Sequence, residues 1–198
     1  MPKKIFVVHL GLNYKRKFLF IFFGGDYLFE LKKWEVNDED DLINLCNLVD
    51  KKFLSNRIPT PYKKIDADSW LKNVFETDGK TGLFRAIFIE EKIVGSISLE
   101  TKNDVYKKTA EIGYMILNEY SGRGIISSAV KKICEIGFNN LDIIRIEAKV
   151  VDKNIASRKV LEKNNFVLEG ILKNSVWKNN EIYNLCVYGL IKQNLFVG

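Results

Sequence analysis

At 198 residues, 46% hydrophobic and 28% charged, the chain fits one domain able to bury about 70% of its unfolded surface in a single core, and it needs no disulfide or metal to fold. No stretch reaches the ~20 apolar residues that span a bilayer. The nearest, residues 18–23, is followed by Gly24, Gly25 and Asp26 without the small-residue cleavage site of a secretory leader, so a cytoplasmic protein with no membrane partner is expected.

The formal charge of +6 is local. Residues 1–33 hold seven Lys or Arg against Asp26 and Glu30, a net of +5, while the other 165 residues carry +1; this argues against the basic face of a nucleic-acid-binding domain. Cys46, Cys134 and Cys186 are odd in number and far apart, which reads as reduced core thiols. His9 is the single histidine, so serine-protease-type triads and His-rich zinc sites are excluded, and chemistry in the body of the chain runs without imidazole.

In chain order, residues 5–9 and 18–23 read as strands around a basic turn at residues 13–17. Residues 1–30 are therefore expected to form a basic, aromatic extension, a hairpin packed on the domain or on a second copy in a homodimer. A strand is expected over residues 28–34, after which Asn37 or Asp38 caps a helix whose Leu42, Cys46, Val49 and Phe53 recur at helical spacing. Pro59 and Pro61 break the chain; residues 66–75 form a second helix. Residues 83–89 and 92–100 form a strand pair across a tight turn at Glu90 and Glu91.

Residues 109–117 are a strand that runs into Gly122, Arg123 and Gly124 and then a helix, with Ile126, Val130, Ile133 and Leu141 on one face. A β-branched strand over 143–151, a short helix over 154–163 ending at Asn164 and Asn165, and strands over 166–173 and 181–192 around Asn179 and Asn180 complete the chain. Hairpins and βαβ crossovers together give an α/β (α+β) chain with a main domain over residues 31–192.

A strand entering a glycine turn that opens a helix gathers unpaired backbone N–H groups and the positive dipole end at one point. Such a point binds a pyrophosphate. Gly122 and Gly124 permit the dihedrals and close approach, and Arg123 adds charge. A lone Gly-x-Gly turn also serves any strand that reverses into a helix.

The surrounding residues carry a resemblance. Glu111, Ile112, Gly113, Tyr114, Met115, Ile116 and Leu117, then Tyr120, Ser121, Gly122, Arg123, Gly124, Ile125, Ile126 and Ser127, resemble the central strand and pyrophosphate loop of the GNAT superfamily of N-acetyltransferases. Arg145, Ile146, Glu147 and Ala148, then Asn154, Ala156, Ser157, Val160, Leu161, Glu162, Lys163 and Phe166, with Glu169 and Gly170, resemble its ribosomal-protein-acetylating branch (RimJ/RimL-like), as do Pro59, Pro61, Tyr62 and residues 67–70. The resemblance implies a mixed, mostly antiparallel central sheet flanked by helices. It also implies transfer of an acetyl group from acetyl-CoA, as co-substrate, to a primary amine, with no metal.

By the same resemblance, Met115, Ile116, Leu117, Ser121, Gly122, Arg123, Gly124, Ile125, Ile126, Ser127 and Asn154 hold the coenzyme, the Met115 N–H bonding the thioester oxygen and Ile116 and Leu117 the pantetheine arm. Glu111 matches a strand glutamate that serves as base; an apolar strand would raise its pKa, and the alternative is a solvent-facing or paired residue. Leu161 stands where many relatives carry an acid tyrosine, so Ser157 is the expected proton donor to the thiolate. Its alternative role is capping the short helix, which Asn154 can fill.

The departures are Ser121, where Gln or Arg is usual; Ile126, where bulk would narrow the approach to phosphate; Asn165 for Gly; and Asn184 for Asp. Two other classes stay open: a catalytically silent acyl-CoA sensor, and a dinucleotide-binding redox domain. Gly122, Gly124 and Asp142 echo the dinucleotide fingerprint, but Ser127 stands at its third glycine.

Overall fold

The structure, a computed structural model, describes residues 29–193; the hairpin expected within residues 1–30 lies outside the described residues except for its last two. Seven strands form one sheet in the order β1-β2-β3-β4-β5-β7-β6. They are β1 (Glu30–Lys33), β2 (Gly82–Ile89), β3 (Lys92–Thr101), β4 (Thr109–Ile116), β5 (Arg145–Val151), β6 (Val167–Lys178) and β7 (Glu181–Ile191). Only β4 and β5 run parallel, and the helix between them supplies the crossover such a pair requires. The mixed, mostly antiparallel sheet expected from the sequence is present, and the parallel sheet of a dinucleotide fold is not.

Two helices cover each face. On one face α1 (Glu39–Leu48) and α2 (Lys64–Thr77) bury Leu42, Leu45, Cys46, Ala67, Leu71 and Val74 against Trp34, Phe84 and Ala86. Glu39, Asp40 and Asp41 in the first turn of α1 complement its dipole, and Asp38 closes the entry by accepting from Glu35 N at 2.8 Å. The helix stops because Val49 turns extended, with φ −67° and ψ 147°. Phe53 therefore leaves the helical face on which periodicity placed it and packs edge-on to Tyr183 at 6.2 Å. Asn47 fixes the following loop by clamping both backbone groups of Tyr62, at 2.8 and 2.9 Å.

On the other face, α3 (Ile125–Asn140) and α4 (Ile155–Lys163) close the larger core. Ala129, Val130, Ile133, Phe138 and Leu161 meet Leu83, Ile87, Leu99, Ile146 and Tyr188. β2 is buried on both sides along nearly its whole length, which is why it reads as a continuous apolar run rather than an alternation. All three cysteines are free and buried. β6 extends five residues beyond the expected Lys173, because Asn174, at φ 52°, forms a bulge instead of ending the strand.

Gly95 in β3 holds β4 close. A Cβ there would lie 2.6 Å from the Met115 carbonyl oxygen and 3.3 Å from Ile116 Cα, both backbone atoms that cannot swing aside. Gly95→Ala should therefore cost about 1–3 kcal/mol by overpacking, read as a lower urea midpoint at unchanged m-value.

Candidate active site

β4 and β5 pair over three residues only, Thr109↔Arg145, Ala110↔Ile146 and Glu111↔Glu147. Beyond that point β4 stays with β3 as far as Gly95↔Ile116, and β5 stays with β7 as far as Val151↔Leu185. The two strands part, and a cleft of about 620 Å³ passes through the opening. Its lining includes Glu111, Ile112, Gly113, Tyr114 and Met115 from β4, Ala148 to Val151 from β5, and Asn154 and Ser157 from α4.

Strand parity decides which backbone groups face the opening. Thr109 O accepts from Lys102 N at 2.8 Å and Leu117 N donates to Val94 O at 2.9 Å. Lys108 O, by contrast, accepts from Ile144 N at 2.9 Å on the β5 side. Backbone polar groups alternate sides along a strand, so the odd-numbered residues of β4 bond to β3 and the even-numbered ones face β5. Tyr114 and Ile116 lie beyond the last paired residue and turn their N–H groups into the opening. The Met115 N–H, expected as the donor to a thioester oxygen, turns the other way, toward β3. Leu117 is also committed, its N–H to Val94 and its carbonyl to Tyr120 N at 2.9 Å, which leaves Ile116 as the residue of that pair able to hold an extended ligand.

Side chains divide the site by face. Met115 packs toward α1 and α2 and, by alternation, Glu111 lies on the same face, while Ile112, Tyr114 and Ile116 pack toward the core under α3 and α4. Glu111 lies across from Glu100, and both line the cleft. Lys149 Nζ donates to Glu111 Oε2 at 2.9 Å, with both side chains more than a third exposed. Of the two environments considered for Glu111, the ion-paired one is found, and an apolar one is not. That hydrogen bond holds the Lys149 pKa above its ordinary value against the opposing effect of burial. Glu147 sits beneath them, bonded by Lys102 at 2.6 Å and Lys149 at 3.3 Å. Burial alone would raise its carboxyl, but the two lysines outweigh it and hold it below the usual range.

Across the opening, the Tyr114 hydroxyl lies 2.6 Å from Ser157 Oγ. Burial pushes the phenol up to about 12 despite that hydrogen bond. Asn154 is the cap of α4, its Oδ1 accepting from Ser157 N at 3.2 Å, so the serine side chain is not spent on capping. At the mouth of the cleft, Lys178 donates to Leu54 O and, at 3.3 Å, to Asn56 Oδ1, tying the β6–β7 turn to the loop after α1. Asn184 donates to Asp152 Oδ2 at 3.0 Å and accepts from Asn174 N at 3.0 Å, a structural use of both its polar atoms.

The glycine loop stands apart from this cleft: none of residues 121–127 lines it. Gly122 and Gly124 have φ of 74° and 80°, and beyond their immediate chain neighbours no atom lies within 4 Å of a Cβ built on either. Glycine is required here by the backbone angle rather than by space. Gly124 caps α3 with no acidic residue in the first turn, leaving the N–H groups of Ile125, Ile126 and Ser127 at the positive end of a 16-residue helix. The Ile125 side chain is buried and Ile126 packs on the core, so the bulk at Ile126 points away from the loop mouth. Ser127 Oγ accepts from Asn164 Nδ2 at 3.1 Å, linking α3 to α4. Ser121 and Arg123 are exposed, with the Arg123 guanidinium 5.4 Å from the Tyr120 ring centre.

Sequence reasoning missed Tyr114 as a partner of Ser157 and Lys149 as the partner of Glu111. The alternation of β4 could have placed Tyr114 on the α4 face, but the contact spans 43 residues and depends on the crossover.

A strand that splays from its parallel neighbour and then feeds a glycine-capped helix is the architecture of an acyl-coenzyme A-binding fold. Residues 29–167 match the Acetyltransferase (GNAT) domain family, and the chain belongs to it. Among curated relatives, the probable N-acetyltransferase YjcK of Bacillus subtilis (strain 168) is 34% identical over 51% of this chain and 58% of its own length. The ribosomal-protein-serine acetyltransferase of Escherichia coli (strain K12) is 32% identical over 53% and 58%. The chain thus spans a little over half the length of each. Among solved structures, the RimL ribosomal-protein alpha-N-acetyltransferase in complex with coenzyme A superposes with a TM-score of 0.74 at 22% identity, covering 85% of this chain and 96% of that one, which establishes the shared fold.

The depressed Glu147 fixes the sign of a pH effect. Its contribution is present above the unfolded carboxyl value of about 4.3 and is lost as pH falls through the lower folded value. Glu147→Gln should cost about 1–3 kcal/mol at pH 7, and the gap from the parent in urea unfolding should close as pH drops from about 5 to 3.

Proposed function

We propose that the protein is an acetyl-CoA-dependent N-acetyltransferase whose acceptor is the amino group of a protein N-terminus. The observation that carries this reading is the opening between β4 and β5, with Glu111 on one side of the sheet and Ser157 on the other. The E. coli relative is named for acetylating a ribosomal protein on serine, which supports the acceptor class. Domain bounds at residues 31 and 192, a cytoplasmic location and a homodimer using the N-terminal extension are proposed with it, on the sequence grounds already given.

Acetyl transfer to an amine needs a neutral nucleophile, a polarised carbonyl and a proton for the departing thiolate. In this reading the pyrophosphate of acetyl-CoA lies at the N–H groups of residues 125–127 with Arg123 at the rim, and the pantetheine arm runs along Ile116 into the opening. The Tyr114 N–H is the donor to the thioester oxygen, in place of Met115. The amine enters from the α1 and α2 side, where Glu111 takes its proton through water and Lys149 holds the carboxylate in place by its hydrogen bond. Ser157 gives its proton to the sulfur.

Incubation with acetyl-CoA and a panel of serine- and alanine-initiated hexapeptides, polyamines and aminoglycosides should give acetylated peptide by mass spectrometry. Coenzyme binding with no product from any amine would establish the silent sensor instead. On the peptide substrate, Ser157→Ala should lower kcat about a hundredfold with acetyl-CoA affinity unchanged by calorimetry; an unchanged rate removes Ser157 from the mechanism. Glu111→Gln should abolish the acidic limb of the kcat/KM profile, and a profile that keeps that limb removes Glu111 as base.

A further inference from the structure

We propose that Tyr114 is a positioning residue for Ser157: its phenol donates to Ser157 Oγ and so aims the serine's own proton into the opening, at the sulfur of the thioester. The inference rests on the reading of Ser157 as proton donor given above. A serine hydroxyl has one proton and two lone pairs, and its usefulness as an acid depends on where that single proton points. The backbone N–H of Ser157 is already taken by Asn154, so the helix cap makes no claim on Oγ. Two acceptors lie within reach of the phenol: Ser157 Oγ at 2.6 Å and the Ser157 carbonyl at 3.3 Å. The short contact takes the phenolic proton, since the longer one is near the limit of a hydrogen bond and a buried hydroxyl left without an acceptor is costly. With one lone pair of Oγ filled by Tyr114, the Ser157 proton is free to turn toward the cleft that both residues line.

The surroundings keep that order fixed. Tyr114 packs against the core under α3 and α4, which limits ring movement, and the phenol, pushed up to about 12 by burial, stays protonated throughout the range in which amines acetylate. As the C–S bond breaks, its electron pair goes to sulfur, which takes the Ser157 proton; the Tyr114 proton shifts to Ser157 Oγ in the same motion. The phenolate recovers a proton, by way of cleft water, from the one that the acceptor nitrogen releases on becoming an amide. The net change is one proton moved from nitrogen to sulfur, with both hydroxyls restored.

The test is a double-mutant cycle on Tyr114→Phe and Ser157→Ala, reading thiol release from acetyl-CoA both with a serine-initiated hexapeptide and without it, where water accepts the acetyl group. The expected result is a kcat loss of about tenfold or more for Tyr114→Phe, acetyl-CoA KM within about twofold of the parent, and a double variant no slower than Ser157→Ala alone. If Ser157→Ala slows the reaction while Tyr114→Phe does not, or if the two losses multiply, the inference is overturned and the Ser157 assignment stands. If Ser157→Ala leaves thiol release unchanged, the assignment falls and the inference with it. Should Tyr114→Phe fail to fold, Tyr114→3-fluorotyrosine keeps the shape and lowers the phenol pKa. It should bring into the measurable range an alkaline fall in kcat that the parent lacks, and a profile that matches the parent's overturns the proposal.

Discussion

The rest of the site depends on β4 and β5 pairing for three residues and then separating. Two sets of contacts enforce the separation. β4 is held to β3 by an unbroken antiparallel ladder from Thr101↔Ala110 to Gly95↔Ile116, with Gly95 allowing the close approach. β5 is held to β7 over its full length. Where the strands divide, Lys102 from the β3 side and Lys149 from β5 converge on Glu147, and Lys149 reaches across to Glu111. This charge cluster ties three strands together at the base of the opening, so the gap starts at a defined residue rather than fraying. Its cost is a short row of backbone groups without sheet partners, each worth about 1–3 kcal/mol if left dry. The row is stable only where water or a ligand with acceptor oxygens can reach it, which the cleft permits.

Parity along β4 then distributes the chemistry. Because side chains and backbone groups both alternate, the strand presents carboxylate and small residues, Glu111 and Gly113, to one face. It presents Tyr114 to the other, with the Tyr114 and Ile116 N–H groups in the plane between them. The same strand runs on into the positive end of α3. An anionic ligand is thus favoured on the α3 side by dipole and N–H groups, while the cleft lining mixes Glu100 and Glu111 with Arg57, Lys149 and Lys178. Two ligands can approach the opening from opposite faces without passing each other. One β-strand sets that division.

How much of this was legible in the sequence follows from the range of each interaction. The glycine loop was legible because a positive φ selects residue type locally, and so were Glu90, Glu91, Asn179 and Asn180, all at positive φ in tight turns. The core strands were legible from β-branched runs. Phe53 was misplaced because helical spacing continues past the point where Val49 turns extended, a stop that carries no glycine or proline. β6 was cut short because the residues around Asn174 look like a turn, and only its pairing with β7 shows a bulge. The direction of the Met115 N–H could not be read at all: it depends on whether β4 meets β3 in odd or even register, which no local composition encodes. Lys149 and Tyr114 likewise find their partners, Glu111 and Ser157, across tens of residues.

The start of α4 shows how capping and chemistry can be separated within one turn. A serine three residues into a helix competes with the cap for the same orphan N–H groups, and a side chain used for the cap is lost to the cleft. Here Asn154 accepts the Ser157 N–H, so the helix end is satisfied by a residue that precedes the serine. The hydroxyl is then engaged from the opposite strand by Tyr114. The same contact holds α4 to β4 on the far side of the opening from the lysine–glutamate cluster. The cleft is therefore fixed at two places, by ion pairs at its base and by a hydroxyl pair at its wall. Groups placed between two such anchors keep their geometry without help from the loops at the mouth, which leaves those loops free to vary.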